Sequence, residues 1–398
     1  MTADPVLLEV NPIDPDVTAK IGDVAAAAGL RRIHMLAWRD LDDVEAGGSE
    51  VHAARVAQRW AAAGIEVTMR TSYAQGSPPE GERDGYRVIR RAGRYLVFPR
   101  AAFSEAVGRH GSRDGLVEIW NGMPFVSPVW ARGPRIVFLH HFHGAMWRMV
   151  LPPRLARLGE VMERRVAPPL YRRTKIVTLS DSSRDELVEE MGLRPDRIDV
   201  VPPGIDSAFS PAPDERSATP LIVAVGRLVP VKRFDLLIQA FARVRDEHAE
   251  ARLVIVGDGY ERADLEALIR TLDLKEAVTL AGRVSDDELL GLYRQAWAVA
   301  SASSREGWGM TLTEAAACGT PSVATRIPGH TDAVADGRRG LLVDGEAGLA
   351  AGLLDVVDDR SLQQQLQAGA LDHAAGFTWD RTALETLEAL AAEARRRR

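Results

Sequence analysis

At 398 residues, 46% hydrophobic and 27% charged, the chain exceeds one ordinary core and calls for two domains of doubly wound size. A net charge of −6 gives no support to a nucleic-acid partner, which would want a basic face over a whole domain. The one cysteine, Cys318, cannot form an internal disulfide, no apolar stretch reaches transmembrane length, and the first thirty residues carry acids and prolines where a signal peptide needs a basic start, so the chain reads as cytoplasmic and soluble.

Residues 1–30 form an N-terminal extension with little pattern of its own. Strands are then expected near RIHMLAW, IEVTMRTS, YRVIRRA, GLVEIWNG, RIVFLHHF and KIVTLSDS, each followed by helical sequence. After the irregular loop 210–220, strands recur at LIVAV, RLVIVG, VTLAGRV and AWAVASAS. This alternation with short glycine or proline turns predicts an α/β chain of two parallel sheets covered by helices on both faces, with domains at 31–205 and 206–376. The closing stretch 377–398 reads as an amphipathic helix ending in four arginines.

Chemistry-bearing residues appear at the expected turns. The acids of DLDD (40–43) resemble a metal-binding pair, but a solvated loop accounts for them. Gly47 and Gly48 precede a helix start, a phosphate-friendly place, and Glu50 on its first turn answers the helix dipole. His140, His141 and His143 lie where a buried strand runs out, His141 and His143 on one face. No carboxylate or cysteine accompanies them at ligand spacing, which argues against zinc. Residues 152–175 set seven cations around Leu155, Leu158, Val161 and Met162, a basic amphipathic helix. Its open readings are a membrane-surface contact or a solvated face with Glu160 and Glu163 as helical partners.

In the second half, an apolar run ends at Gly226 and is followed by Arg227, Lys232 and Arg233, cations suited to a diphosphate at a strand's carboxyl end. Gly257, Asp258 and Gly259 open another helix. In SSREGWGMTLTEAAAC, Glu306 and Glu314 flank a glycine turn and a helix start, with Glu314 placed on the first helical turn. Each carboxylate is able to accept two hydrogen bonds from a diol.

The ordered set GRLVPVKRFDLLIQAF, VIVGDG, VTLAGRV, EGWGMTLTEAAACGTPSVAT and GHTDAVADGRRGLLV resembles the donor-binding half of family 4 retaining glycosyltransferases. AGGSEVHAARVAQRWAAAGIEVTM and IDVVPPGIDSAFSP resemble that family's N-terminal half and interdomain connection, so the likeness covers about residues 31–394. It departs at Asp332, where the family usually carries glutamate. The resemblance implies the GT-B fold, two Rossmann-like domains facing across a cleft, with the terminal helix returning to the N-terminal domain. It implies transfer of a sugar from a nucleotide-diphosphate sugar to an acceptor hydroxyl with net retention, on one face of the sugar. Arg227 and Lys232 would meet the diphosphate, Glu306 the sugar hydroxyls, Glu314 the ribose, and His143, with His140 second, the donor sugar. Further donor contacts fall on Gly47, Gly48, Gly226, Arg283 and the run Gly307, Trp308, Gly309, Met310, Thr311 and Leu312. No cofactor and no essential metal is expected, and the acceptor is open among a lipid, an oligosaccharide and a secondary metabolite. Peripheral contact with the inner face of the membrane is carried as an extension of the cytoplasmic reading. Competing readings are a sugar-nucleotide epimerase or a phosphorylase on a similar scaffold, and a catalytically silent nucleotide-sugar-binding protein.

Overall fold

The computed structural model of the protein describes residues 13–212 and 215–397. Residues 1–12 of the N-terminal extension, and Arg398, lie outside the described residues. The chain divides into two compact units: one runs up to Gly204 and takes in Thr378 onward, the other is Ile205–Phe377.

The first unit holds an eight-stranded sheet made of β1 (Arg32–Leu36), β2 (Glu66–Thr71), β3 (Glu80–Arg83), β4 (Tyr86–Arg90), β5 (Gly115–Ile119), β6 (Arg135–Phe138), β7 (Lys175–Thr178) and β8 (Ile198–Val200), in the order β3-β4-β2-β1-β5-β6-β7-β8. All pairs are parallel except β3 with β4. The β3 sequence EGER has no apolar alternation to betray it. Its charges suit a sheet edge, where they discourage further pairing. Both faces are covered: Ile136 and Phe138 of β6 enter one core, Val137 and Leu139 another. Hence the near-continuous apolar runs of the central strands.

One of those cores contains three helices, Pro15–Ala28, Gly48–Ala62 and Trp379–Arg396. The last is anchored by Trp60, whose indole N–H donates to the Ala383 carbonyl at 2.9 Å, and by Arg59, whose Nε lies 2.6 Å from Asp380. The residues of the extension that are described, including the helix Pro15–Ala28 capped by the Asp14 side chain, thus pack on the terminal helix.

The second unit carries β9 (Leu221–Val225), β10 (Arg252–Val256), β11 (Val278–Gly282), β12 (Ala298–Ser301), β13 (Ser322–Thr325) and β14 (Gly340–Val343), all parallel, in the order β11-β10-β9-β12-β13-β14. Ile222 and Ala224 of β9 face one core, Leu221 and Val223 the other. Ile205 and Phe209 already belong to this unit's core, upstream of the 210–220 loop.

Each sheet reverses its winding once. In the first, the chain passes from β1 out to β4 and then returns to lay β5 on the other side of β1; in the second it passes from β9 to β11 and returns to lay β12 beside β9. The loops leaving the carboxyl ends of two such strands diverge to opposite faces, which opens a crevice there for a ligand.

Three sequence expectations are corrected. Residues 152–175 are not one helix: Pro153–Val161 runs into a π turn at Met162–Val166 and then the short helix Ala167–Tyr171. Glu163 is no solvated partner but fully buried, and Glu160 pairs with Arg148, twelve residues back. The DLDD acids are not solvated either. Asp40 is fully buried between Arg83 at 2.8 Å and Arg90 at 3.2 Å. Burial alone would raise its carboxyl; the Arg83 guanidinium foremost holds it below the ordinary range.

Candidate active site

The second unit's crevice is lined by the loops leaving β9 and β12. The first closes through a tight turn, Pro230–Lys232, and is stitched to the second by the Ser304 amide, which donates to the Val231 carbonyl at 2.8 Å. Lys232 then lies back across Gly226, where a Cβ would come within 3.2 Å of the lysine Cε. Its ammonium forms an ion pair and hydrogen bond with Glu306. Ser303 donates to the same carboxylate oxygen at 2.9 Å. Burial pushes the Glu306 carboxyl up, but the Lys232 charge, with His330 beside it, outweighs burial and brings it to about 2. Lys232 and Glu306 are 74 residues apart and meet because β9 and β12 are neighbours.

His330, fully buried, holds the turn from behind. Its Nδ1 lies 2.9 Å from the Thr325 carbonyl, so that nitrogen carries the proton. The turn itself needs glycine at two positions. Gly309 sits at φ +105° with His330 against it, and at Gly329 a Cβ would fall 2.7 Å from the Trp308 amide nitrogen. The Trp308 side chain packs edge-on to Phe377, and Leu312 belongs to the core, so these two residues offer the crevice backbone only. Met310 and Thr311 are half-buried at the helix start.

Glu314 stands on the second turn of the helix Met310–Ala317, not the first. It accepts a hydrogen bond from Tyr293 at 3.1 Å. Burial, reinforced by Asp206 and Asp286 against the opposing Tyr293 bond, raises its carboxyl to about 7. Arg227, half-buried just beyond β9, has no ion pair among the described residues, and Arg233 is engaged with Asp235 at 3.0 Å. Arg283 is exposed at the end of β11.

The first unit repeats the arrangement at its own reversal. Gly47 caps the helix Gly48–Ala62, and its amide donates to Glu50 at 2.9 Å, so the chain's own carboxylate takes one donor of that helix start. Glu50 thus does more than answer the dipole. Ser49, also bound to Glu50, accepts from Asn121 in the loop after β5 at 2.9 Å. The next residue, Gly122, lies against the His143 ring.

The histidines separate. His140 and His52 share a hydrogen bond of 3.1 Å in the interior; burial, then the charges of His141 and His143, lower His140 to about 3 and keep it neutral. His143 instead stacks on His141, ring centres 4.6 Å apart, beside Gly122. Glu163 fixes this loop, accepting from the His143 amide at 2.7 Å, the Gly144 amide at 3.0 Å and the Trp147 indole at 2.9 Å. Sequence reasoning assigned no such role to Glu163, Asn121, Ser303, Tyr293 or His330; Asn121, Ser303 and His330 stood within motifs already noted, and all but Ser303 act on residues remote in the chain. Among the described residues no group of three or more His, Cys, Asp or Glu side chains is placed to hold a metal ion.

Comparison with known proteins agrees with this architecture. Residues 46–209 match Glycosyltransferase Family 4 and residues 207–372 match Glycosyl transferases group 1. The D-inositol 3-phosphate glycosyltransferase of Acidothermus cellulolyticus is 33% identical over 380 residues, spanning 85% of this chain and 84% of that protein. Sucrose-phosphate synthase from Thermosynechococcus elongatus superposes with a TM-score of 0.77 at 19% identity, over 89% of this chain and 97% of that one. Anabaena HepE in complex with UDP-glucose superposes with a TM-score of 0.70 at 19% identity, over 92% and 100%. At such identity the two structures speak to fold alone, whereas the Acidothermus relative reaches further: this chain is a glycosyltransferase enzyme of family 4, built on the GT-B fold.

Proposed function

We propose that the enzyme moves a sugar from a nucleoside diphosphate sugar to an acceptor hydroxyl with retention of anomeric configuration. The observation that carries this is the Lys232–Glu306 pair at the winding reversal of the second unit, with Arg227 at the same strand end. Cations there meet the charge that develops on the leaving β-phosphate. Glu306, kept ionised, accepts from sugar hydroxyls, and Glu314 accepts from the ribose diol. Glu306 is engaged by Lys232 and Glu314 by Tyr293, which suits holding roles more than attack and favours reaction on one face. The bond from the anomeric carbon to the diphosphate breaks, a bond to the acceptor oxygen forms on the same side, and the departing phosphate oxygen takes the acceptor's proton.

The first acceptor to test is D-inositol 3-phosphate, on the strength of the Acidothermus relative's name. Incubation with UDP-, GDP- and dTDP-sugars with and without this acceptor, reading nucleotide release, tests the reading; proton NMR of the product gives the anomeric outcome. Acceptor-stimulated release from one donor and a retained centre support it, and an inverted centre overturns it. Because phosphate charge is met by Arg227 and Lys232, and the Asp40 acids are spent on arginines, turnover should persist in excess chelator; its abolition would show an essential metal.

Glu314 gives a pH signature. A carboxyl raised to about 7 is protonated on the acid side and becomes a full acceptor only above it. We expect kcat/KM to rise with pH through an apparent pKa near that value, and Glu314→Gln to flatten this limb. An acid limb that survives the substitution would remove Glu314 from the donor site.

A peripheral contact with an anionic membrane is part of the proposal. Leu155 and Leu158 are 52% and 54% exposed among arginines, a combination suited to an interfacial surface. Co-sedimentation with phosphatidylglycerol vesicles, lost in Leu155→Ser/Leu158→Ser, checks it.

A further inference from the structure

The first unit contains a cavity of about 690 Å³ whose wall includes Arg135, Arg172, Arg173, Arg194, Arg396 and Arg397. It lies at the opposite end of that unit's sheet from the His143 loop. Arg135 opens β6, Arg172 and Arg173 precede β7, and Arg194 precedes β8, whereas the His143 loop leaves the carboxyl end of β6. The last turn of the terminal helix closes the cavity with Arg396 and Arg397. The closing run of arginines, featureless in sequence, thus acquires a place.

The charge there is only partly compensated. Among the described residues no carboxylate lines the cavity. Behind the wall, Asp196 takes Arg194 at 2.8 Å and Glu393 takes Arg396 at 2.8 Å, lying 3.9 Å from Arg397. Arg172 and Arg173, both exposed, have no ion pair among the described residues. The Arg135 Nε is buried without a hydrogen-bond partner among the described residues, though its Nη1 donates to the Ala131 carbonyl at 3.0 Å. Burial, then the neighbouring Arg397 charge, lower the Arg135 guanidinium below its ordinary value. Gathered like charges repel, and a bound polyanion relieves them while satisfying planar forks that match phosphate oxygens.

We propose that this cavity binds an anion bearing two or more phosphate groups, at a site separate from the donor crevice. The inference does not rest on the transferase reading. Its geometric content is that residues 172–173 and 396–397, remote in sequence, act on one ligand.

The test uses the full chain, with inorganic tripolyphosphate in calorimetry as one arm and vesicles of cardiolipin, whose headgroup carries two phosphates, as the other. Arg172→Ala/Arg173→Ala and Arg396→Ala/Arg397→Ala are compared with a control pair outside the cavity, Arg184→Ala/Arg381→Ala. Each cavity pair removes charge-assisted bonds, so each should weaken binding at least about tenfold, while the control stays within about twofold. Tripolyphosphate binding at one per chain, lost in both cavity pairs, supports the site with a soluble ligand. Vesicle binding alone, lost in both, supports it with a lipid headgroup. No binding in either arm, or loss in only one cavity pair, or equal loss in the control, overturns it. All four substituted positions of the cavity pairs are exposed, so the variants should fold, and an unchanged Tm without ligand verifies this.

Discussion

Lys232→Ala is expected to lower kcat by on the order of a hundredfold or more, the scale seen when one preorganised donor to a developing anion is removed. The ammonium is held before substrate arrives, lying across Gly226 and paired with Glu306. It therefore costs no reorganisation as charge moves to the leaving phosphate. The substitution also acts on Glu306. That carboxyl lies at about 2 only because the lysine outweighs burial. A depressed carboxyl contributes stability above its unfolded pKa, roughly 4.3, and loses it as pH falls through the folded value. Without the lysine this contribution disappears and burial raises the group, so the variant should be less stable near neutrality, and on acidification this group should restore stability as it is protonated rather than lose it. Thermal scans across pH separate this from the loss of turnover. Combining Lys232→Ala with Glu306→Gln should recover stability without recovering kcat. A kcat within a few-fold of the parent enzyme would remove Lys232 from the reaction.

Glu163→Ala is expected to destabilise the first unit by roughly 3 kcal/mol, since three buried donors lose their acceptor and each such loss costs roughly 1–3 kcal/mol, not fully additively. For a unit of this size that is a fall in Tm of roughly 6–12 °C. Glu163→Gln should not rescue it, because the amide presents an NH2 group to a pocket built wholly of donors. Burial raises the Glu163 carboxyl, but His143 foremost, with the amide and indole bonds, brings it below the ordinary range. Its contribution is thus present at neutral pH and lost on acidification through that lowered value. Glu163→Ala should also free the His143 loop, so donor KM and kcat should both worsen if His143 touches the sugar. An unaltered Tm would mean that water replaces the carboxylate.

Periodicity and turn chemistry alone determined a large share of this protein. The apolar runs of β9, β10 and β12 announce strands buried on both faces, and glycine followed by cations or acids marks their carboxyl ends. Those signals are local, each residing within a few residues. The strands that escaped, β3, β8, β13 and β14, are three or four residues long; β6, β7 and β12 are no longer, but apolar flanking residues extend their signal. The tertiary structure decided who meets whom. Lys232 reaches Glu306 because the chain returns to place β12 beside β9. Asp40 is spent on Arg83 and Arg90, 43 and 50 residues on, and Glu163 turns inward to hold a loop 20 residues behind it. Six arginines from four parts of the chain share one cavity. Strand order and register bring these groups together, and neither is encoded in a period of two or of 3.6 residues; only packing both faces of each sheet fixes them.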